Sequence, residues 1–185
     1  GWWGQTADSG TLIGQALAAT GPPVIARRPS QFVLDMDGMS GCRYRLFINK
    51  LVQLLGCDAR YLEVGVGKGS TLCSAIEDNK GHACCIDNWS EYGGPREAFL
   101  SNMAATRTDV TLEVIEADFR AVKYSSIKGG PFNVFMFDGP HNEQDQYDGI
   151  RLAQRALADN YTLIVDDWNW RVIRTGTLKA LIDAG

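Results

Sequence analysis

Tyr61-Leu62-Glu63-Val64-Gly65-Val66-Gly67-Lys68-Gly69-Ser70-Thr71 is the stretch that decides the fold. A short apolar run of strand formers stops in glycines at alternate positions, Gly65, Gly67 and Gly69, and a helical pattern begins at Ser70. That is the pattern of a buried strand, a tight turn and a helix N-terminus. Glycines at such a turn remove the Cβ atoms that would hold a ligand away from the backbone. The turn is built for something to lie against it. A phosphate-cradling loop, G-x-x-x-x-G-K-[ST], is excluded, because Lys68 is followed by Gly69 and Leu62 stands where the first glycine belongs. A dinucleotide fingerprint, G-x-G-x-x-G/A, is approached by Gly65, Gly67 and Ser70, with a serine at its third small position.

Outward from this turn, apolar periodicity alternates between helix and strand. Residues 40–55 read as a helix with Tyr44, Phe47, Ile48, Leu51, Val52 and Leu55 on one face, and Gly56 as its C-cap. After the turn come a helix over 70–78, a strand over 82–87, a helix over 95–106 and a strand over 110–116. A strand over 132–137, a helix over 143–158, a strand over 161–165 and a helix over 176–184 complete the series. Five strands alternating with helices predict an α/β fold, a doubly wound, mostly parallel Rossmann-like sheet with helices on both faces. In such sheets ligands bind at the C-terminal strand ends, where strand order reverses. Glu63, Asp87, Asp118, Asp138 and Asp166 all fall at those ends.

Residues 1–38 read as an N-terminal extension and residues 39–185 as the ligand-binding domain. The extension opens with Trp2-Trp3 and carries a short helix over 11–19, closed by Gly21-Pro22-Pro23. A chain of 185 residues with 45% apolar and 22% charged residues describes one soluble globular domain. Its net charge of −4, without a basic run, argues against a nucleic-acid surface, and no apolar stretch is long enough to span a membrane. Five cysteines without a C-x-x-C pair, Cys84-Cys85 among them in an apolar run, read as reduced core residues of a cytoplasmic protein and argue against zinc.

The glycine stretch, Glu63 through Gly69, closely resembles the cofactor loop of class I methyltransferases that use S-adenosylmethionine. The resemblance runs from about Met39 to Trp168. It implies that Glu63 lies near the cofactor's amino-acid end, where a carboxylate suits an ammonium and a sulfonium and would repel a pyrophosphate. It places Met39 and Ser40 beside the methionine end, with Gly65, Gly67, Gly69 and Ser70 forming the loop. Asp87, about 20 positions beyond the loop, is placed to accept the ribose hydroxyls under either the methyltransferase or an NAD-dependent oxidoreductase reading. Trp89 would pack beside the adenine or simply fill core. Asp118 would reach the adenine amino group or cap the short helix that follows it.

Asp138, Asp166 and Asp167 form a second constellation at the tips of strands four and five. Hard carboxylate oxygens suit Mg²⁺. The set is similar to that of the metal-dependent O-methyltransferases, of catechol and macrolide-sugar type. That resemblance implies Mg²⁺ held by Asp138, Asp166 and Asp167, with His141 as the base that deprotonates a small hydroxylated acceptor. The plainer alternatives make Asp138 a turn residue, the acid pair a cap for the next helix and His141 a first-turn helix residue. Trp168 and Trp170 would wall the acceptor pocket or pack the last helix, and His82 is structural. The family's final antiparallel hairpin has no counterpart in the sequence, an expectation consistent with a fragment, a departure from the family or an edge available for self-association. A non-catalytic cofactor-binding module is the remaining alternative.

Overall fold

A computed structural model describes residues 11–20 and 29–184. The predicted features at Trp2-Trp3 and at Gly21-Pro22-Pro23 lie outside the described residues. In chain order the helices are α1 (Leu12–Ala18), α2 (Gln31–Leu34), α3 (Cys42–Leu55), α4 (Ser70–Ile76), α5 (Arg96–Ala105), α6 (Glu143–Ala153) and α7 (Arg171–Ile182). The strands are β1 (Arg60–Val64), β2 (Lys80–Asp87), β3 (Asp109–Glu116), β4 (Phe132–Phe137) and β5 (Leu157–Val165). They form one sheet in the order β3-β2-β1-β4-β5, and every pairing is parallel. Parallel neighbours require crossovers, which the intervening helices provide. The order reverses between β1 and β4, so the glycine turn after β1 opens at the switch point.

Alternation along the strands divides the core into two layers. Tyr61, Ala83, Cys85, Val134 and Met136 face a cluster completed by Ile48, Leu51 and Val52 of α3 and Leu72 and Ile76 of α4. Leu62, Val64, Cys84, Ile86, Phe135 and Phe137 face the other, with Ile150 and Ala153 of α6 and Ala180 of α7. Both sheet faces are covered, which explains why the strands read as nearly continuous apolar runs.

Element boundaries differ in places from the expectation. Helix α6 stops at Ala153, a 3₁₀ turn takes Gln154–Ala156, and β5 begins at Leu157 rather than at 161. Helix α7 begins at Arg171, before the expected 176, because Ile173 is buried together with Thr177 and Ala180. Helix α3 begins at Cys42, capped by Gly41, rather than at residue 40, and Gly56 ends it at φ 59° as the pattern requires. The four-residue α2 was not foreseen. Cys73, Cys84 and Cys85 are buried, whereas Cys42 and Cys57 are exposed, so the core reading holds for three of the five cysteines. Among the described residues no helix is long and apolar enough to cross a membrane.

Candidate active site

A cavity of about 520 Å³ opens at the switch point, in the size range of small-molecule sites. Its floor is the glycine turn, and the tips of β2, β4 and β5 supply Asp87, Asp138 and Asp166 to its walls. Two glycines are dictated by geometry. Gly65 has φ +85°, and a Cβ there would lie 1.9 Å from the carbonyl oxygen of Asp138. Gly69 adopts φ 86° as the cap of α4, a left-handed conformation that L residues resist. Gly67 has open space where its Cβ would be and lines the cavity, as a ligand-facing glycine should.

Asp87 holds this turn in shape. Its Oδ2 accepts from the amides of Val66 at 2.9 Å and Gly67 at 2.8 Å, while Oδ1 accepts from the amide of Trp89 at 2.7 Å. Trp89 returns the tie, its Nε1 donating to the Gly67 carbonyl at 2.8 Å, and its ring packs at 5.0 Å against Phe99, tilted by 44°. Trp89 therefore fills core and lines the cavity at once. Asp118 lines the cavity and also accepts from the amide of Arg120 at 2.8 Å to cap a 3₁₀ turn.

Glu63 departs from its expected place. Its side chain is fully buried and is not among the residues lining the cavity. It points into the layer beneath the turn, where its carboxylate accepts from Tyr61 Oη at 2.6 Å and from the Thr71 hydroxyl. Burial pushes its carboxyl up to about 8, against the lowering effect of those two hydroxyls. Glu63 thus clamps β1 to α4 from below and does not reach the cavity directly.

A strap over residues 37–40 forms the opposite wall. Ser40 Oγ lies 3.0 Å from Ser70 Oγ, and a Cβ on Gly38 would sit 2.5 Å from that same Ser70 oxygen. Asp37 pairs with Lys68 of the glycine turn. Met39 lines the cavity yet is largely exposed. The strap is fastened by Arg45, whose buried guanidinium donates to Ser40 Oγ at 2.9 Å and to the carbonyls of Val33, Leu34 and Met36. Neither Arg45 nor the Lys68–Asp37 pair was singled out from the sequence. An arginine in a helical pattern normally reads as exposed, and only its placement beside the strap distinguishes it.

The structure also gathers Asp138, His141 and Asp167. His141 Nε2 lies 3.4 Å from Asp138 Oδ1 and 3.2 Å from Asp167 Oδ2, and the ring packs 5.5 Å from that of Trp170. Hydrogen bonding to Asp138 raises the imidazole above its ordinary value; burial opposes this, and the charges of Asp138, Asp167 and Asp166 reinforce it. Asp138 is pushed up to about 6, first by burial and further by Asp166 and Asp167, with His141 pulling the other way. Asp138 stands in the turn that follows β4, as the plainer alternative also has it, while His141 and the acid pair do not take the helix positions that alternative gave them. Asn142, not His141, caps α6, and α7 has no side-chain cap from the acid pair. Trp168 and Trp170 stay partly exposed. His82 lies within β2, packed against Gly129, away from the site.

The Mg²⁺ expectation fits this site in donor chemistry but not in assembly. Asp138, Asp166 and Asp167 offer hard oxygens, yet among the described residues no three His, Cys, Asp or Glu side chains form a group able to hold a metal. His141 occupies the place between Asp138 and Asp167.

Comparison with known proteins agrees with the geometry. A methyltransferase domain model matches residues 62–168, more than half of the chain. No curated protein matches in sequence. Among solved structures, the precorrin 8w decarboxylase of Methanobacterium thermoautotrophicum superposes with a TM-score of 0.59 at 17% identity, over 81% of this chain and 75% of that one. Cofactor-bound Rv0187 from MTB gives 0.55 at 15% identity, over 96% and 79%. The S-adenosylhomocysteine-bound methyltransferase PaMTH1 of Podospora anserina gives 0.50 at 17%, over 94% and 77%. These likenesses show the shared fold. With the matched domain covering the glycine turn, the strand tips and the cavity between them, the chain belongs to the methyltransferase domain family and is a class I S-adenosylmethionine-dependent methyltransferase.

Proposed function

We propose that the chain transfers the methyl group of S-adenosylmethionine to a hydroxyl of a small molecule, with His141 as the general base. The observation that carries this reading is the imidazole of His141, which lines the cavity and is held between Asp138 and Asp167. Bound S-adenosylmethionine would supply a methyl carbon activated by a sulfonium. A neutral hydroxyl is a weak nucleophile until its proton is drawn off as the bond to carbon forms. His141 takes that proton, Asp138 and Asp167 stabilise the resulting imidazolium, and the glycine turn with Asp87 fixes the nucleoside so that the reacting atoms stay in line. Trp170 orients the imidazole and shields one side of it from water.

The test is methyl transfer from labelled S-adenosylmethionine to a panel of phenols and sugars. His141→Ala should lower turnover by roughly 10²- to 10⁴-fold while leaving S-adenosylhomocysteine affinity within a few-fold. Full turnover in that variant would sink the assignment.

A second reading adds a divalent cation. Its support is the crowding of Asp138, Asp166 and Asp167: burial first, and then its two acidic neighbours, raise Asp138, and a hard cation would relieve the acidic crowding. Asp138, Asp166 and Asp167 would then hold the ion, which would lower the pKa of the acceptor hydroxyl. Chelator-insensitive turnover, unchanged in the double variant Asp166→Ala, Asp167→Ala, would reject it.

A further inference from the structure

Two stretches of the cavity wall, the strap and the segment after β2, are held with very unequal strength. The strap is gripped by two buried side chains of opposite charge. Ser30 donates from its amide and its hydroxyl to the Glu77 carboxylate, each at 2.7 Å, and Arg45 takes up the carbonyls of Val33, Leu34 and Met36 together with Ser40 Oγ. Glu77 and Arg45 are both buried, so lifting the strap would strip a charged group of its partners away from water. That wall is fixed.

Residues 90–94 are held by nothing comparable. Among the described residues their hydrogen bonds run only to Asn88, to Arg96 and to one another. All five are exposed, yet Ser90, Glu91 and Tyr92 line the cavity. The segment hangs between two anchored residues. Trp89 is tied to Asp87 and Gly67, and Arg96 Nε donates to Glu116 at 2.9 Å. Tyr92 holds φ 52°, followed by Gly93 at 78° and Gly94 at 67°. A tyrosine occupies that left-handed region at a cost, and the two glycines beside it give the chain a point about which to turn. The Tyr92 ring stands 68% exposed at the rim of the site.

We infer that residues 90–94 form a lid that closes over the occupied cavity, with the Tyr92 ring as its cover, while the strap stays in place. The inference rests on the reading of the cavity as the S-adenosylmethionine site. An aromatic ring left in water beside a cavity removes apolar surface from solvent when it folds onto a ligand, and that burial draws the segment down. Little has to break for it to move, because its hydrogen bonds are local and travel with it. Closure screens the site from water, and reopening must precede release of S-adenosylhomocysteine.

Hydrogen exchange of the wild type, free and saturated with S-adenosylhomocysteine, reads both walls at once. The amides of Glu91, Tyr92 and Gly93 have no partner among the described residues and should exchange freely without ligand. With ligand they should slow by about tenfold or more, whereas the hydrogen-bonded amides of Leu34, Asp35 and Met36 stay protected in both states. Stopped-flow release of S-adenosylhomocysteine, followed by tryptophan fluorescence, then tests the ring. Tyr92→Ala should release roughly tenfold faster than wild type, and Tyr92→Phe, which keeps the ring, within about twofold of it. Both variants should melt with the wild type when unliganded, since the exposed ring supports no packing. Exchange at residues 91–93 unaltered by the ligand, protection gained by the strap instead, or wild-type release from Tyr92→Ala would overturn the lid. Failure of the wild type to bind S-adenosylhomocysteine would overturn the cofactor reading and this inference with it.

Discussion

The carbonyl oxygen of Asp138 lies 1.9 Å from the position a Cβ would take on Gly65. This contact joins the tips of β1 and β4 at the point where strand order reverses, and it is reinforced by the Asp138 amide donating to the Val64 carbonyl at 2.9 Å. Any side chain at residue 65 must part the two tips while also occupying φ +85°. Gly65→Ala should therefore cost on the order of 3–5 kcal/mol, within the range of severe single substitutions. Chemical denaturation measures it, and a loss under about 1 kcal/mol would show that the tips can separate freely.

Asp87 connects loop shape to ligand binding. It supports the amides of Val66, Gly67 and Trp89, so its loss leaves those donors unpartnered and the cavity floor unsupported. Asp87→Ala should weaken S-adenosylhomocysteine by roughly tenfold or more and lower the melting temperature. An intact affinity would remove Asp87 from the site.

With His141 as the proposed base, its protonation sets the pH dependence of turnover. Its folded-state value is raised by Asp138, and only the neutral imidazole accepts a proton. The rate should therefore rise with pH through a midpoint above the ordinary histidine value of 6.5. Asp138→Asn should move that midpoint down, since the main raising influence is gone. A pH–rate profile of the two proteins gives the answer, and coincident midpoints would separate His141 from Asp138.

Glu63 makes a separate prediction about stability. Its carboxyl, at about 8 in the folded state, is protonated more readily than the ordinary value of 4.5 expected when unfolded. Between these values the unfolded chain binds fewer protons at this group, so the contribution of Glu63 to stability is fully present below about pH 4.5 and is lost as pH rises through about 8. In Glu63→Gln, which keeps an acceptor for Tyr61 Oη, this share of the pH dependence should vanish. Denaturation midpoints for both proteins from about pH 5 to about pH 8.5 test it; parallel curves would contradict the buried protonation.

Much of this was legible in the residues, and the gaps have physical causes. The glycine stretch announced β1, the turn and α4, because few local structures demand glycine at alternate positions. Placing Glu63 required attention to strand alternation. It shares a face with Tyr61, whose side chain points into the packed layer, and that period-two relation buries the carboxylate. The boundary between α6 and β5 was hidden because Leu157 continues the helical spacing of Ile150 and Ala153 while also opening a strand. Helix α2 is too short to show any period.

Calorimetric titration of S-adenosylhomocysteine into the purified protein, with NAD⁺ as the control ligand, tests the central claim most directly. The cavity at the β1–β4 switch point should bind S-adenosylhomocysteine at one site with micromolar or tighter affinity and leave NAD⁺ unbound. Binding of NAD⁺ alone, or of neither ligand, would contradict it.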